Sequence, residues 1–246
     1  MGILLTIAYD GTNYCGWQMQ KNGLSVHGAL EIALQKIFNC NFSMLGASRT
    51  DAGVHALGQQ AHLMLEGTNP IPLDKLPLAV NSVLPPDIRI MAAKQVSDSF
   101  HPINDAKSKT YSYRIYNDRY QNPLMRQYSA FVPTTLDMEK MAQAAGFFIG
   151  EHDFAAFCAS GSSVKSTIRT IYNLNVTKQN NIIEITVNGN GFLYNMVRII
   201  AGTLTDVGCG KIIPDEIPYI IASADRVRAG KTMPPQGLTL VKIFYL

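Results

Sequence analysis

The spacing of apolar positions changes period several times along the chain, and each change marks an element. Ile3-Leu4-Leu5-Thr6-Ile7-Ala8-Tyr9 is an almost unbroken apolar run stopped by Asp10-Gly11, the pattern of a buried strand. Residues 11–23 form a loop rich in Asn, Gln and Gly that holds the only tryptophan, Trp17. Ser25 can cap a helix running to about residue 38, because Val26, Leu30, Ala33, Leu34 and Ile37 recur at spacings of three and four. Strands are predicted before Arg49 (Phe42, Met44, Leu45) and after His55 (Ala61, Leu63, Met64, Leu65). Residues 73–84 read as a second helix, stopped by Pro85-Pro86, and residues 88–96 return as a strand.

A crossover at residues 100–106 leads to a long strand over 107–117. Residues 120–132 read as irregular, 136–148 as a third helix and 150–165 as a long loop containing Cys158-Ala159-Ser160-Gly161-Ser162-Ser163. Residues 166–177 and 182–187 are expected to pair through Asn180-Asn181. A fourth helix over 192–207, a short helix after Pro214 and a closing strand over 238–245 complete the chain. The order is roughly β-α-β-β-α-β, followed by something similar, which predicts an α+β fold of two halves with mixed or antiparallel sheets and helices on one face.

Composition narrows the classes of function. With 246 residues, 47% apolar and only 16% charged, the chain can build a sizeable core, and its few charges are worth locating. The net charge of +3 tilts toward an anionic partner. Cys15, Cys40, Cys158 and Cys209 are far apart with no C-x-x-C pair, so reduced thiols are expected. They assemble no zinc pattern with the five scattered histidines. No apolar run is long enough for a membrane span, and the N-terminus lacks a basic n-region and a cleavage site. A cytoplasmic protein is expected.

Four segments carry candidate chemistry. Gly46-Ala47-Ser48-Arg49-Thr50-Asp51-Ala52-Gly53-Val54-His55-Ala56 packs a carboxylate, a guanidinium and an imidazole between two strands, where rigid elements can present a functional loop. Composition alone also allows an ordinary turn at Asp51-Ala52-Gly53. On the strand Lys107-Ser108-Lys109-Thr110-Tyr111-Ser112-Tyr113, alternation puts Lys107, Lys109, Tyr111 and Tyr113 on one face. Cations followed by rings suit phosphates and stacked bases; the same residues also suit an edge strand. In the fourth helix Leu193, Met196, Val197, Ile200 and Leu204 form the buried stripe. Arg198 lies roughly 110° from its centre, which reads as a surface arginine. Met233-Pro234-Pro235-Gln236-Gly237 is a stiff turn feeding Leu238 and Leu240 into the last strand.

Taken together, Tyr9-Asp10-Gly11-Thr12, Gly16-Trp17-Gln18, the Arg49-to-Ala56 string, Lys109-Thr110-Tyr111-x-Tyr113, Asn195-Met196-Val197-Arg198 and Pro235-x-Gly237-Leu238 resemble the bacterial tRNA pseudouridine synthase A family. The motifs occur in the family's order from residue 9 to the C-terminal strand.

The resemblance implies two similar α/β halves flanking a central cleft, divided here as residues 1–105 and 106–246. It implies isomerisation of uridine to pseudouridine in the anticodon stem-loop of tRNA, at tRNA positions 38, 39 and 40, with base flipping, by a homodimer needing no cofactor or metal. Carried over, Asp51 is the catalytic carboxylate, Tyr111 the active-site ring and Arg198 its cationic neighbour. Arg49, Lys107, Lys109, His55 and the apolar wall Leu240 would bind substrate. Lys165, Arg169, Arg226, Arg228 and Lys231 would add phosphate contacts. Asp10 can simply cap its turn, and His55 can orient the loop through a hydrogen bond. A non-catalytic tRNA-binding protein on the same scaffold is the competing reading.

Overall fold

A computed structural model describes residues 1–20, 23–67, 70–161 and 164–245. Lys21 and Asn22 of the predicted 11–23 loop, and Ser162 and Ser163 of the predicted 150–165 loop, lie outside the described residues. The chain divides into two compact units, one of Met1–Lys107 with Thr239–Leu246 and the other of Ser108–Leu238.

In the first unit the order is β1 (Gly2–Tyr9), α1 (Val26–Ile37), β2 (Phe42–Gly46), β3 (His55–Leu65), α2 (Leu76–Asn81) and β4 (Ile88–Val96). This is the β-α-β-β-α-β order expected from the apolar periods. β1 lies between β3 and β4, antiparallel to both, and its continuous apolar run is what a strand covered on both faces requires. Ile3, Leu5 and Ile7 are wholly buried. The eleven residues of β3 serve two partners along the edge away from β1. Their C-terminal half takes β2 antiparallel, from Gly46↔Ala61 to Phe42↔Leu65. Their first two residues take the chain's last strand, β10 (Leu238–Phe244), parallel, as Thr239↔His55 and Leu240↔Ala56.

Ser25 caps α1 as expected: its extended backbone lets the side chain accept the Gly28 N–H at 3.0 Å. Val26, Ala29, Leu30, Ala33 and Leu34 form the buried face. α2 is shorter than the predicted 73–84. Pro77 stands in its first turn, where a missing N–H is harmless.

The second unit runs β5 (Ser108–Asn117), β6 (Ala130–Val132), α3 (Met138–Gly146), β7 (Gly150–Asp153), β8 (Ile168–Gln179), β9 (Ile182–Gly189), α4 (Met196–Gly208) and α5 (Ile217–Ser223). β9 pairs antiparallel with β5 and β8, and β8 with β7. The hairpin β8–β9 turns at Asn180, in the left-handed region with φ 54°. Two segments expected to be irregular are ordered by pairing instead. Residues 130–132 add a short parallel strand to β5, and Gly150-Glu151-His152-Asp153, with no apolar alternation to signal it, forms β7 on β8.

α4 is the most enclosed helix of this unit. Beyond the predicted stripe it also buries Ile199, Ala201, Thr203, Thr205 and Val207. Gly202 and Gly230 allow the loop over residues 229–233 to lie on it. A Cβ on Gly202 would fall 1.9 Å from the Lys231 carbonyl oxygen, and one on Gly230 would fall 2.5 Å from the Thr203 nitrogen.

Leu30 is fully buried in α1. Leu30→Ala should therefore lower unfolding free energy by about 2–5 kcal/mol, measured by urea denaturation. A loss under 0.5 kcal/mol would contradict the packing described.

Candidate functional site

The loop between β2 and β3, residues 47–54, is held from outside as well as by its own turn. The Val54 N–H donates to the Asp51 carbonyl at 3.1 Å, closing a turn with Gly53 in the left-handed region at φ 76°. Further restraints come from neighbours. Trp17 N–H donates to Thr50 O at 3.1 Å and Gly53 N–H to Tyr14 O at 3.3 Å. The Gln59 side-chain amide donates to Ser48 O at 2.6 Å. The Tyr9 and Thr50 hydroxyls are hydrogen-bonded at 2.7 Å in a buried position, and the Gly11 N–H donates to His55 Nδ1 at 3.0 Å.

Three glycines permit this approach. A Cβ at Gly11 would lie 2.0 Å from Val54 O, one at Gly16 2.5 Å from Thr50 O, and one at Gly46 2.2 Å from the Trp17 ring. Trp17 is buried, stacked at a tilt on Tyr9 and edge-on to His27. In this frame Asp51 is half-buried and Arg49 exposed. His55 is buried, with Asp10 Oδ1 3.1 Å from its Nδ1. Asp10 also caps its own turn by accepting the Thr12 N–H at 3.0 Å. Leu240 is fully buried opposite Ala56.

Beyond their place in the resemblance motifs, Tyr9 and Gly11 read in the sequence only as the end of the first strand, and Gly16 and Trp17 only as part of a polar loop; Tyr14 carries no signal there.

In the second unit Tyr111 sits on β5 opposite Val187, buried, with its ring edge-on to Phe192 at 5.2 Å. Arg198 is not the solvated arginine that the helical wheel suggested. It is half-buried. Its Nε donates to Met233 O and its Nη1 to Asn195 Oδ1, both at 2.7 Å, and the Met233 N–H returns a bond to the Arg198 carbonyl at 3.2 Å. The wheel failed because the 229–233 loop covers that side of α4. Asn195, at φ 61°, starts the helix in the left-handed region, which Asn tolerates better than most residues.

Arg226 braces the same loop, donating to Gly230 O at 2.9 Å and to Thr232 Oγ1 at 3.0 Å. Its guanidinium is thus occupied in structure, whereas Arg228 and Lys231 are exposed. Arg169 donates to the carbonyls of Ser166 and Ile168; Lys107 and Lys165 are exposed. Tyr113 is fully buried, donating to Pro234 O at 2.7 Å. Burial pushes its phenol well above the usual range, against the opposing pull of Arg198, so it stays protonated. Burial also pushes the Lys109 ammonium down to about 8.

All four cysteines are free thiols. Among the described residues no group of three His, Cys, Asp or Glu side chains could hold a metal ion, and no helix is long and apolar enough to cross a membrane.

The two units thus define a mixed α/β protein with a carboxylate presented on a braced loop and an arginine anchored at a helix start. A family profile described as tRNA pseudouridine synthase matches residues 5–103 and 144–246. Similar proteins named tRNA pseudouridine synthase A occur in Thermoanaerobacter sp. (strain X514), 51% identical, and Ruminiclostridium cellulolyticum, 52% identical, each match covering 99% of both chains. A Bacillus pumilus protein of the same name is 44% identical over 100% of this chain and 99% of its own. The chain belongs to the tRNA pseudouridine synthase family.

Gly16, at φ 103°, combines backbone strain with a blocked Cβ; Gly67, at φ 112°, has open space around it. Gly67→Ala should cost only the left-handed penalty of about 1–2 kcal/mol. Gly16→Ala should cost more and speed amide hydrogen exchange across residues 47–54. Equal thermal shifts with unchanged exchange would contradict the bracing.

Proposed function

We propose that this protein isomerises uridine to pseudouridine in the anticodon stem-loop of tRNA, with Asp51 as the catalytic carboxylate. Similarity along the whole chain to proteins named tRNA pseudouridine synthase A supports the isomerisation of tRNA uridine. The observation that carries it is the placement of Asp51 on a loop whose position is fixed by hydrogen bonds from outside it. A free turn would not need that restraint, but a reacting group does.

The chemistry balances without a redox partner. The N1–C1′ bond breaks, the uracil turns, and C5 joins C1′. C5 loses a proton to solvent and N1 takes one up. An ionised carboxylate serves any of three routes: attack on C1′, attack on C6, or deprotonation of C2′. Arg198 has the role of the cation that keeps a carboxylate ionised. Its bonds to Met233 and Asn195 hold the guanidinium in one orientation.

The target must leave its stack, which costs a few kcal/mol. Tyr111 supplies a ring for the flipped base, worth about 1–3 kcal/mol, and Leu240 an apolar wall. Exposed Arg49 holds the displaced backbone. Lys107, Lys109, Lys165, Arg228 and Lys231 contact phosphates. Arg226 drops out of that set, since it braces the 229–233 loop. The reading includes a homodimer acting in the cytoplasm.

Asp51→Asn should retain the fold and most tRNA affinity while releasing no tritium from C5-labelled uridine in tRNA. Wild-type release by the variant would end the assignment and favour a non-catalytic tRNA-binding role.

Lys109 carries its charge at pH 7 and loses it as the pH rises through about 8. At constant ionic strength, tRNA affinity should therefore weaken between pH 7 and 9. Lys109→Arg should weaken less over that interval, because arginine stays charged. Superimposable binding profiles would remove Lys109 from the phosphate contacts.

A further inference from the structure

His55 is buried at the first position of β3, and its side chain points inward to the end of β1. Its Nδ1 accepts the Gly11 N–H at 3.0 Å, while Asp10 Oδ1 lies 3.1 Å from the same nitrogen. One ring nitrogen cannot accept from Gly11 and donate to Asp10 at once. The Gly11 bond requires a bare Nδ1, which in the neutral ring puts the proton on Nε2. Asp10 Oδ1 also accepts from the Thr12 N–H and hydroxyl, which holds the carboxylate beside the imidazole.

The other end of the loop is tied to the same strand end. Thr50, one residue before Asp51, shares a buried hydroxyl bond with Tyr9. Tyr9-Asp10-Gly11 thus grips the loop on both sides of Asp51, through Thr50 and through His55. The backbones are in contact at the second grip, where any Cβ on Gly11 would strike Val54 O. Between the two grips lies the turn closed by Val54 N–H on Asp51 O.

We propose that His55, through its contact with Gly11, and Tyr9, through Thr50, are positioning residues that set where the Asp51 carboxylate stands. The inference rests on Asp51 being the catalytic carboxylate. It builds on the expectation that His55 orients the loop through a hydrogen bond. Loss of either grip lets the carboxylate drift while the tRNA-binding surface stays intact. Displacement of a reacting group by about 1 Å can cost about a hundredfold in rate.

The test is steady-state tritium release from C5-labelled uridine in tRNA, with thermal melting of each variant. His55→Leu, assayed well below its melting temperature, should lose about ten- to a hundredfold in kcat while KM stays within about twofold. His55→Asn, whose Oδ1 stands near the position of Nδ1, should regain most of the loss. Tyr9→Phe, which keeps the ring stacking and removes only the hydroxyl, should show a smaller loss in kcat alone. A purely structural role would lower the melting temperature of His55→Leu and leave kcat of the folded enzyme unchanged.

Wild-type kcat in His55→Leu, a kcat loss matched by a rise in KM, or failure of His55→Asn to outperform His55→Leu would overturn the proposal. If His55→Leu does not fold, wild-type kcat in Tyr9→Phe overturns it, and a kcat-only loss there supports it. Asp51→Asn, run alongside, separates the two layers. Full activity in that variant removes the catalytic assignment, whereas an inactive Asp51→Asn beside an unaffected His55→Leu removes the positioning role alone.

Discussion

Residues 47–54 leave one strand and enter the next through a turn closed by the Val54 N–H on the Asp51 carbonyl. The segment is also held by what packs against it. Here that is the stretch from Tyr9 to Trp17, which donates the Trp17 N–H to it, accepts the Gly53 N–H at Tyr14, shares a hydroxyl bond with it and lays an indole against Gly46. Gly11 and Gly16 are needed because backbone meets backbone there and no Cβ fits. The position of Asp51 therefore depends on residues forty positions earlier in the chain, brought there because β1 and β3 are neighbours.

The second unit solves a similar problem by similar means. Arg198 is fixed by a carbonyl from the 229–233 loop and by Asn195 at the helix start. That loop is in turn tied down by Arg226, by the Thr203 hydroxyl accepting the Gly230 N–H, and by the absence of side chains at Gly202 and Gly230. Arg198 is oriented by a backbone carbonyl and by the Asn195 side-chain oxygen, both neutral. Bonds of that kind fix direction without neutralising the charge.

Much of the architecture was legible because burial imposes period. The apolar run of β1, the three-and-four spacing of α1 and the Ser25 cap each predicted their element, and the first unit follows the expected order. Legibility failed where pairing rather than pattern makes the element. β7 has no alternation, since its residues are ordered by the neighbouring strand and not by a buried face. Arg198 was misplaced for a related reason. A helical wheel knows the helix's own stripe, but not that a loop thirty residues later will cover its other side. Arg226 looked like one of a basic cluster, and only the carbonyls around it show that it is a brace.

By itself the sequence determined most of the elements and which side chains are on hand for chemistry, because side-chain type and local period are properties of neighbours in the chain. It also carried the Arg49-to-Ala56 string, whose pattern is distinctive without any coordinates. Tertiary structure alone decided that the last strand lies parallel to β3 beside His55, that Gly11 and Gly16 are contact points and not merely flexible joints, and that His55 faces the core. Those outcomes depend on which distant backbones come within hydrogen-bonding range, and no local spacing encodes that distance.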